Sequence, residues 1–200
     1  MMLRKTLLAL GVTLALAAPA LADTYTVDRA HSEAAFQVRH ILTKVRGTFR
    51  DFAGTINFDK AKPENSSVEF VIKVTSIDTG TQKRDDHLRS PDFFDVATHP
   101  EIAFKSTKVV PKGNNKFDVI GDFTMHGVTK QVTLPVTFLG EQKFMNGSKA
   151  GFETALTINR TDYGLVWNRA LEGGGALVGE DVEITINIEA DLQVPKPASN

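Results

Sequence analysis

The sequence predicts a mainly β fold, a single antiparallel sheet of about eight strands that closes on itself or stacks against another sheet. Three observations predict it. Apolar and polar residues alternate with period two over most of the chain after residue 22. Turn-forming pairs separate the alternating runs. Near residues 81–95 the rhythm gives way to a polar stretch rich in helix formers, which predicts a short helical insertion.

Residues 1–22 read as a signal peptide. Arg4 and Lys5 supply a positive start, Leu7 to Ala18 an apolar run, and Ala20-Leu21-Ala22 the small-x-small cleavage pattern. The run is well short of the ~20 residues a spanning helix needs. Cleavage after Ala22 leaves 21 basic against 24 acidic residues. The expected product is exported to the periplasm and carries no membrane anchor.

Residues 23–194 are expected to form one domain. Early strands are marked by Ala34, Phe36 and Val38, then by Phe52, Gly54, Ile56 and Phe58. Phe49 breaks parity with Phe52, which suggests a bulge between them. Val68, Phe70, Ile72 and Val74 follow, then Ile102 and Phe104. Phe117 to Met125, Val128 to Phe138 and Ala150 to Ile158 give three more. The last is the clearest: Val182, Ile184, Ile186, Ile188, Ala190 and Leu192 share one face, and Glu183, Thr185, Asn187, Glu189 and Asp191 the other. Turns are expected at Lys112-Gly113-Asn114-Asn115, His126-Gly127 and Asn146-Gly147. Gly54 and Gly121 fall on apolar faces, where a sheet bends or a bulky group approaches closely. Thr81 is expected to cap the helical insertion, and Ser90-Pro91 to start a second short turn carrying Phe93 and Phe94. Residues 195–200 read as a frayed tail.

Composition excludes more than it identifies. With no cysteine, disulfides, thiolate metal sites, iron–sulfur clusters and cysteine nucleophiles are all removed. Lys+Arg 23 against Asp+Glu 24 offers no cationic face for nucleic acid. Gly-x-Ser-x-Gly, Gly-x-Gly-x-x-Gly and the P-loop are absent. The five histidines, His31, His40, His87, His99 and His126, have neither His-x-His nor His-x-x-x-His spacing. The densest charge cluster is Arg84-Asp85-Asp86-His87-Leu88-Arg89. Through Arg84 or Arg89 it suits a phosphate-bearing head group; as a solvated helix laced by local ion pairs it does nothing further. A barrel of about eight strands is wide enough to be filled by side chains or to hold one small ligand. Thirteen Phe mixed with Gly and Ala suit both, and composition alone leans to the filled core.

The loops supply a resemblance. Asp28-Arg29-Ala30-His31-Ser32, Phe36-Gln37-Val38-Arg39-His40, Gly47-Thr48-Phe49 and Phe52-Ala53-Gly54-Thr55-Ile56 come in order. Then follow Ser76-Ile77-Asp78-Thr79, the run from Arg84 to Asp95 through Ser90-Pro91-Asp92-Phe93-Phe94, and His99 to Ser106. Gly121 to Lys130 and Asn159 to Leu165 complete the series. From Tyr25 to about Leu192 the chain resembles the YceI-like family, bacterial periplasmic proteins described as lipid or polyisoprenoid binders with a lipocalin-like barrel. The resemblance implies a hollow barrel and a polyisoprenoid or other long-chain amphiphile as partner, with no cofactor. Parity then gives the candidate lining residues Phe36, Val38, Phe49, Phe70, Ile72, Phe93, Phe104, Phe123, Leu156 and Ile158. The candidate head-group rim is His31, His40, Arg84, His87, Arg160 and Tyr163. Two other readings stand beside the carrier: an enzyme acting on an isoprenoid or quinone through Arg84 and His87, and a metal-responsive or stress-linked module using the histidines. A homodimer is compatible with an open-faced sheet.

Overall fold

The computed structural model describes residues 22–145 and 147–193. The expected signal peptide up to Leu21, Asn146 of one expected turn and the expected tail lie outside these residues.

The alternating runs form strands, and the strands form a closed barrel. β1 (Asp23–Val27) and β2 (Glu33–His40) lie in line, separated by a 3₁₀ turn at Arg29–His31. β3 (Thr43–Phe49) and β4 (Phe52–Phe58) lie in line as well, separated at Arg50 and Asp51. β5 (Ser67–Lys73), a two-residue β6 (Ile77–Asp78), α1 (Gln82–Arg89), β7 (Glu101–Gly113) and β8 (Lys116–Met125) follow. β9 (Val128–Phe144), β10 (Gly147–Asn159) and β11 (Val178–Leu192) end the series. Hydrogen-bonded neighbours run β1-β4-β5-β7-β8-β9-β10-β11, and β11 pairs back onto β1. All pairings are antiparallel, so eight strands close the wall. The upper half of β11 pairs with β2, and β2 with β3.

Two breaks bend the first hairpin at one level. The 3₁₀ turn at Arg29–His31 and the gap at Arg50-Asp51 face each other, and Arg29 reaches across to Asp51 at 2.5 Å. The parity change between Phe49 and Phe52 is this break. Asp28 caps the 3₁₀ turn by accepting from the Ala30 amide.

The helical insertion fills a seam. Among the described residues, the strand that pairs with β3 on its far side is the short β6, at Thr48 and Phe49. Residues 74–100 occupy the interval between β3 and β7. Thr81 stands at the start of α1, but its hydroxyl makes no cap bond. It accepts from Arg84 instead, at 3.3 Å, while the Thr81 carbonyl takes the first helical amides. Buried Asp85 turns back to accept from the Thr79 amide and hydroxyl. Arg89 donates to the carbonyls of Thr75 and Ile77, which fastens the helix to the wall.

The two expected turns that lie wholly among the described residues form between strands. Asn114 and Asn115 connect β7 to β8 with φ of 50° and 59°. His126 and Gly127 connect β8 to β9 with φ of 51° and 74°, left-handed values that Gly adopts without strain. The barrel therefore has two distinct ends. One carries the β2–β3 hairpin, the helical insertion, the His126-Gly127 turn and the loop before β11. The other carries the first strand's start, the last strand's end and the turns at residues 59–66 and 114–115.

Lys149 on β10 ties the closing strands together. Its ammonium lies 2.7 Å from Asp28, 3.0 Å from Glu189 and 2.9 Å from Asp191. The Lys149 and His31 hydrogen bonds hold the Asp28 carboxyl well below the usual carboxylate range, and the three carboxylates hold the Lys149 ammonium above the usual lysine value. A depressed carboxyl contributes stability above its unfolded pKa, and that stability is lost as pH falls. A raised ammonium contributes below its unfolded pKa and loses this at strongly alkaline pH. Lys149→Met should cost about 1–2 kcal/mol at neutral pH, since Glu189 and Asp191 remain partly solvated. It should also shrink the loss of stability on acidification from about pH 5 to 2. Urea unfolding of both proteins across that range checks this, and an unchanged acid slope would contradict it.

Candidate ligand cavity

The inward faces of the strands leave the barrel hollow. A cavity of about 640 Å³ runs through it, with an almost wholly apolar wall. Phe36 and Val38 from β2, Phe49 from β3, Phe70 and Ile72 from β5, and Phe104 from β7 all line it. Phe123 from β8, Leu156 and Ile158 from β10 and Phe93 after α1 complete the set read from parity. Val182, Ile184, Ile186 and Ile188 give β11's contribution.

Three glycines explain how so many aromatic residues leave a lumen. A Cβ on Gly47 would stand 2.4 Å from the Phe36 ring, and one on Gly54 2.7 Å from the Phe70 ring. On Gly121 it would stand 2.7 Å from the Phe104 ring and 2.4 Å from the Lys105 carbonyl. Each ring occupies the space over a neighbouring strand's glycine, drawn against the sheet instead of standing into the lumen. Gly54 and Gly121 are thus sites of close approach.

The terminal end is plugged. Phe58 packs against Phe138, Phe117 and Phe152 with ring centroids 5.0, 5.7 and 5.7 Å away. Tyr25, fully buried, meets the edge of Phe152. The hairpin end differs: the lining there includes His40, Thr81, Lys83, Arg84, His87, Trp167 and Arg160. Trp167, His87 and Phe93 form a mutual cluster with centroids 4.9–5.1 Å apart. Arg84 donates to the hydroxyl and carbonyl of Thr79, both at 2.7 Å, and has no carboxylate partner among the described residues. His87 bonds Asp92 at 2.8 Å. Arg160, 3% exposed, donates to the carbonyls of Gly179 and Leu165, while its second terminal nitrogen has no partner among the described residues. Burial pushes its pKa down. Among the described residues, Glu153 is the single carboxylate of the lining, against Lys83, Arg84 and Arg160.

Two rim candidates lie elsewhere. His31 sits in the 3₁₀ turn outside the cavity wall, 64% exposed and bonded to Asp28. Tyr163 is buried behind the wall, edge-on to Phe123, and its backbone carbonyl accepts from His126 Nδ1 at 3.1 Å. Arg89, weighed with Arg84 for a phosphate, is occupied by the backbone carbonyls of the insertion. Lys83, Thr81 and Trp167 at the mouth are not among the residues expected from the sequence, nor is Thr154 on the wall, whose buried hydroxyl has no partner among the described residues. Their signal was present in part: Thr154 shares parity with Leu156 and Ile158. One group of possible metal ligands occurs among the described residues, Asp28, His31 and Glu189. The Lys149 ammonium already neutralises two of its three members.

A closed eight-stranded barrel with an apolar lumen, plugged at one end and ringed by cations at the other, belongs to the class of barrels built to hold a ligand. The YceI-like domain model matches residues 25–190, and the chain belongs to that family. A UPF0312 protein of Pseudomonas savastanoi pv. phaseolicola is 42% identical over 170 residues, covering 82% of this chain and 88% of that protein. Among solved structures, Burkholderia cenocepacia BcnA superposes with a TM-score of 0.71 at 29% identity, covering 82% of this chain and 98% of the other. A polyisoprenoid binding domain from Saccharophagus degradans, implicated in plant cell wall breakdown, gives 0.66 at 18% identity, covering 87% and 100%. At that identity the likeness is one of fold.

Gly121→Val should push the Phe104 ring into the lumen and strain the β7–β8 pairing. The expected cost is about 1–3 kcal/mol of stability. The cavity should shrink with it. Chemical denaturation together with a crystal structure of the variant checks both, and a variant with unchanged stability and lumen would contradict the role given to Gly121.

Proposed function

We propose that this protein is a periplasmic carrier that holds a polyisoprenoid or similar long-chain amphiphile along the barrel. One observation carries the reading: a wall of Phe, Ile, Val and Leu around a lumen closed by Phe58 and its neighbours at one end. Each methylene buried there is favourable by roughly 0.8 kcal/mol, so an extended hydrocarbon is held without any ion pair. The fold shared with a polyisoprenoid binding domain supports the same cargo. Periplasmic residence rests on the leader expected from the sequence at residues 1–22.

The polar end of the cargo belongs at the hairpin end, where Lys83, Arg84, His40 and His87 meet the lumen. A guanidinium fits phosphate or carboxylate oxygens in bidentate fashion, so an acidic head group suits this mouth. Binding fits better than turnover. Arg84 is held by Thr79, His87 by Asp92, and among the described residues no nucleophile and base are hydrogen-bonded to each other at the mouth.

Organic extraction of the purified protein followed by mass spectrometry should recover a long-chain lipid in near-stoichiometric amount. Arg84→Ala should lower retention of acidic amphiphiles by about tenfold while leaving neutral hydrocarbon chains nearly unaffected. Extracts without lipid, and no uptake of added isoprenoid alcohols or phosphates, would overturn the carrier reading.

A further inference from the structure

The hairpin between β2 and β3 has three chemically distinct parts. Its inner face, Phe36, Val38, His40 and Val45, lines the cavity. Its outer face pairs Gln37 with Arg46 and Arg39 with Lys44 across the strands. Its tip is Ile41 and Leu42, 43% and 85% exposed. From Val38 to Arg50 the chain contains Arg39, Lys44, Arg46 and Arg50 and no acidic residue. Lys44 is paired with Glu183 and Arg50 with Asp78, whereas Arg39 and Arg46 enter no ion pair among the described residues.

The apolar tip is not isolated. The Ile41 amide donates to the Leu177 carbonyl at 3.0 Å, and Leu177 lines the cavity. Asn168 is sewn to Val178 at 2.7 and 3.1 Å, which brings Val166, 68% exposed, to the same end. Exposed apolar side chains held at a cavity's opening, collared by unpaired cations, have the composition of an interfacial membrane contact. Basic residues near an anionic lipid surface add attraction that salt screens.

We propose that the Ile41-Leu42 hairpin tip, with Val166, docks the mouth of the barrel on an anionic lipid surface, so that cargo passes between bilayer and lumen without crossing water. This rests on the carrier reading. The opposite end also exposes apolar residues, Phe144 at 52% and Met145 at 88%. There the aromatic plug closes the lumen and the neighbouring charges are mixed, Lys60 being paired with Asp23 and Glu141. That end is therefore the control.

Trp167, the one tryptophan, packs at the mouth and reports on it. The protein should co-sediment with phosphatidylcholine vesicles containing phosphatidylglycerol, with Trp167 emission shifting to shorter wavelength, and less so at high salt. Leu42→Asp should weaken the partition by at least about tenfold, because a leucine's burial is replaced by a charge. Arg39→Glu combined with Arg46→Glu should abolish the preference for phosphatidylglycerol, and Met145→Asp should change nothing. No association with these vesicles at low salt, or equal losses for Leu42→Asp and Met145→Asp, would overturn the docking surface. So would a dimer dissociated by Leu42→Asp without vesicle binding, which would make the tip an interface between two copies. Extraction of the same preparations keeps the two readings apart. Lipid recovered without vesicle binding overturns the docking alone, and vesicle binding by lipid-free protein that takes up none overturns the carrier reading.

Discussion

The packing of three phenylalanine rings over three glycines on neighbouring strands decides what kind of barrel this is. A sheet of eight strands encloses a volume that side chains can fill, and thirteen Phe are enough to suggest that they do. Phe36, Phe70 and Phe104 instead lie over Gly47, Gly54 and Gly121. A β-carbon at any of these glycines would compete for the ring's place, and the ring would have to move toward the barrel axis. The lumen depends on the absence of three side chains.

Closure sets the other boundary. A sheet with exposed edges invites pairing with other chains, and here β11 removes the edge by pairing with β10 on one side and with β1 and β2 on the other. The first hairpin follows the wall because both its strands break at the same level, at Arg29–His31 and at Arg50-Asp51. Lys149 gathers Asp28, Glu189 and Asp191 beside that break. The helical insertion then covers the interval between β3 and β7, and in doing so it brings Arg84 and His87 to the opening. Wall, seam and mouth are consequences of one topology.

Much of this was legible in the chain. Period-two alternation gave the strand faces, so the nine candidate lining residues on strands fall on the cavity wall, where Phe93 joins them from the turn after α1, and the Asn114-Asn115 and His126-Gly127 turns fall between strands. β1 and β3 escaped, since Asp23–Val27 and Thr43–Phe49 carry few large apolar residues and depend on their partners for their form. The rim was read less well. His31 and Tyr163 belong to motifs that pin the chain, one at the strand break and one behind Phe123, and linear order does not separate these roles from contact with a lumen. Lys83 and Trp167 reach the mouth only through the folding of the insertion and the loop before β11 onto one end. The choice between a filled and a hollow barrel hung on glycine and phenylalanine meeting across strands, a matter of register that composition does not carry.

The most direct test of the account is a crystal structure of the protein purified with its native content. The account predicts a continuous elongated density along the axis, its polar end beside Arg84 and its tail against Phe58, with the Phe36, Phe70 and Phe104 rings over their glycines. Those three rings turned into a lumen that they fill would contradict it.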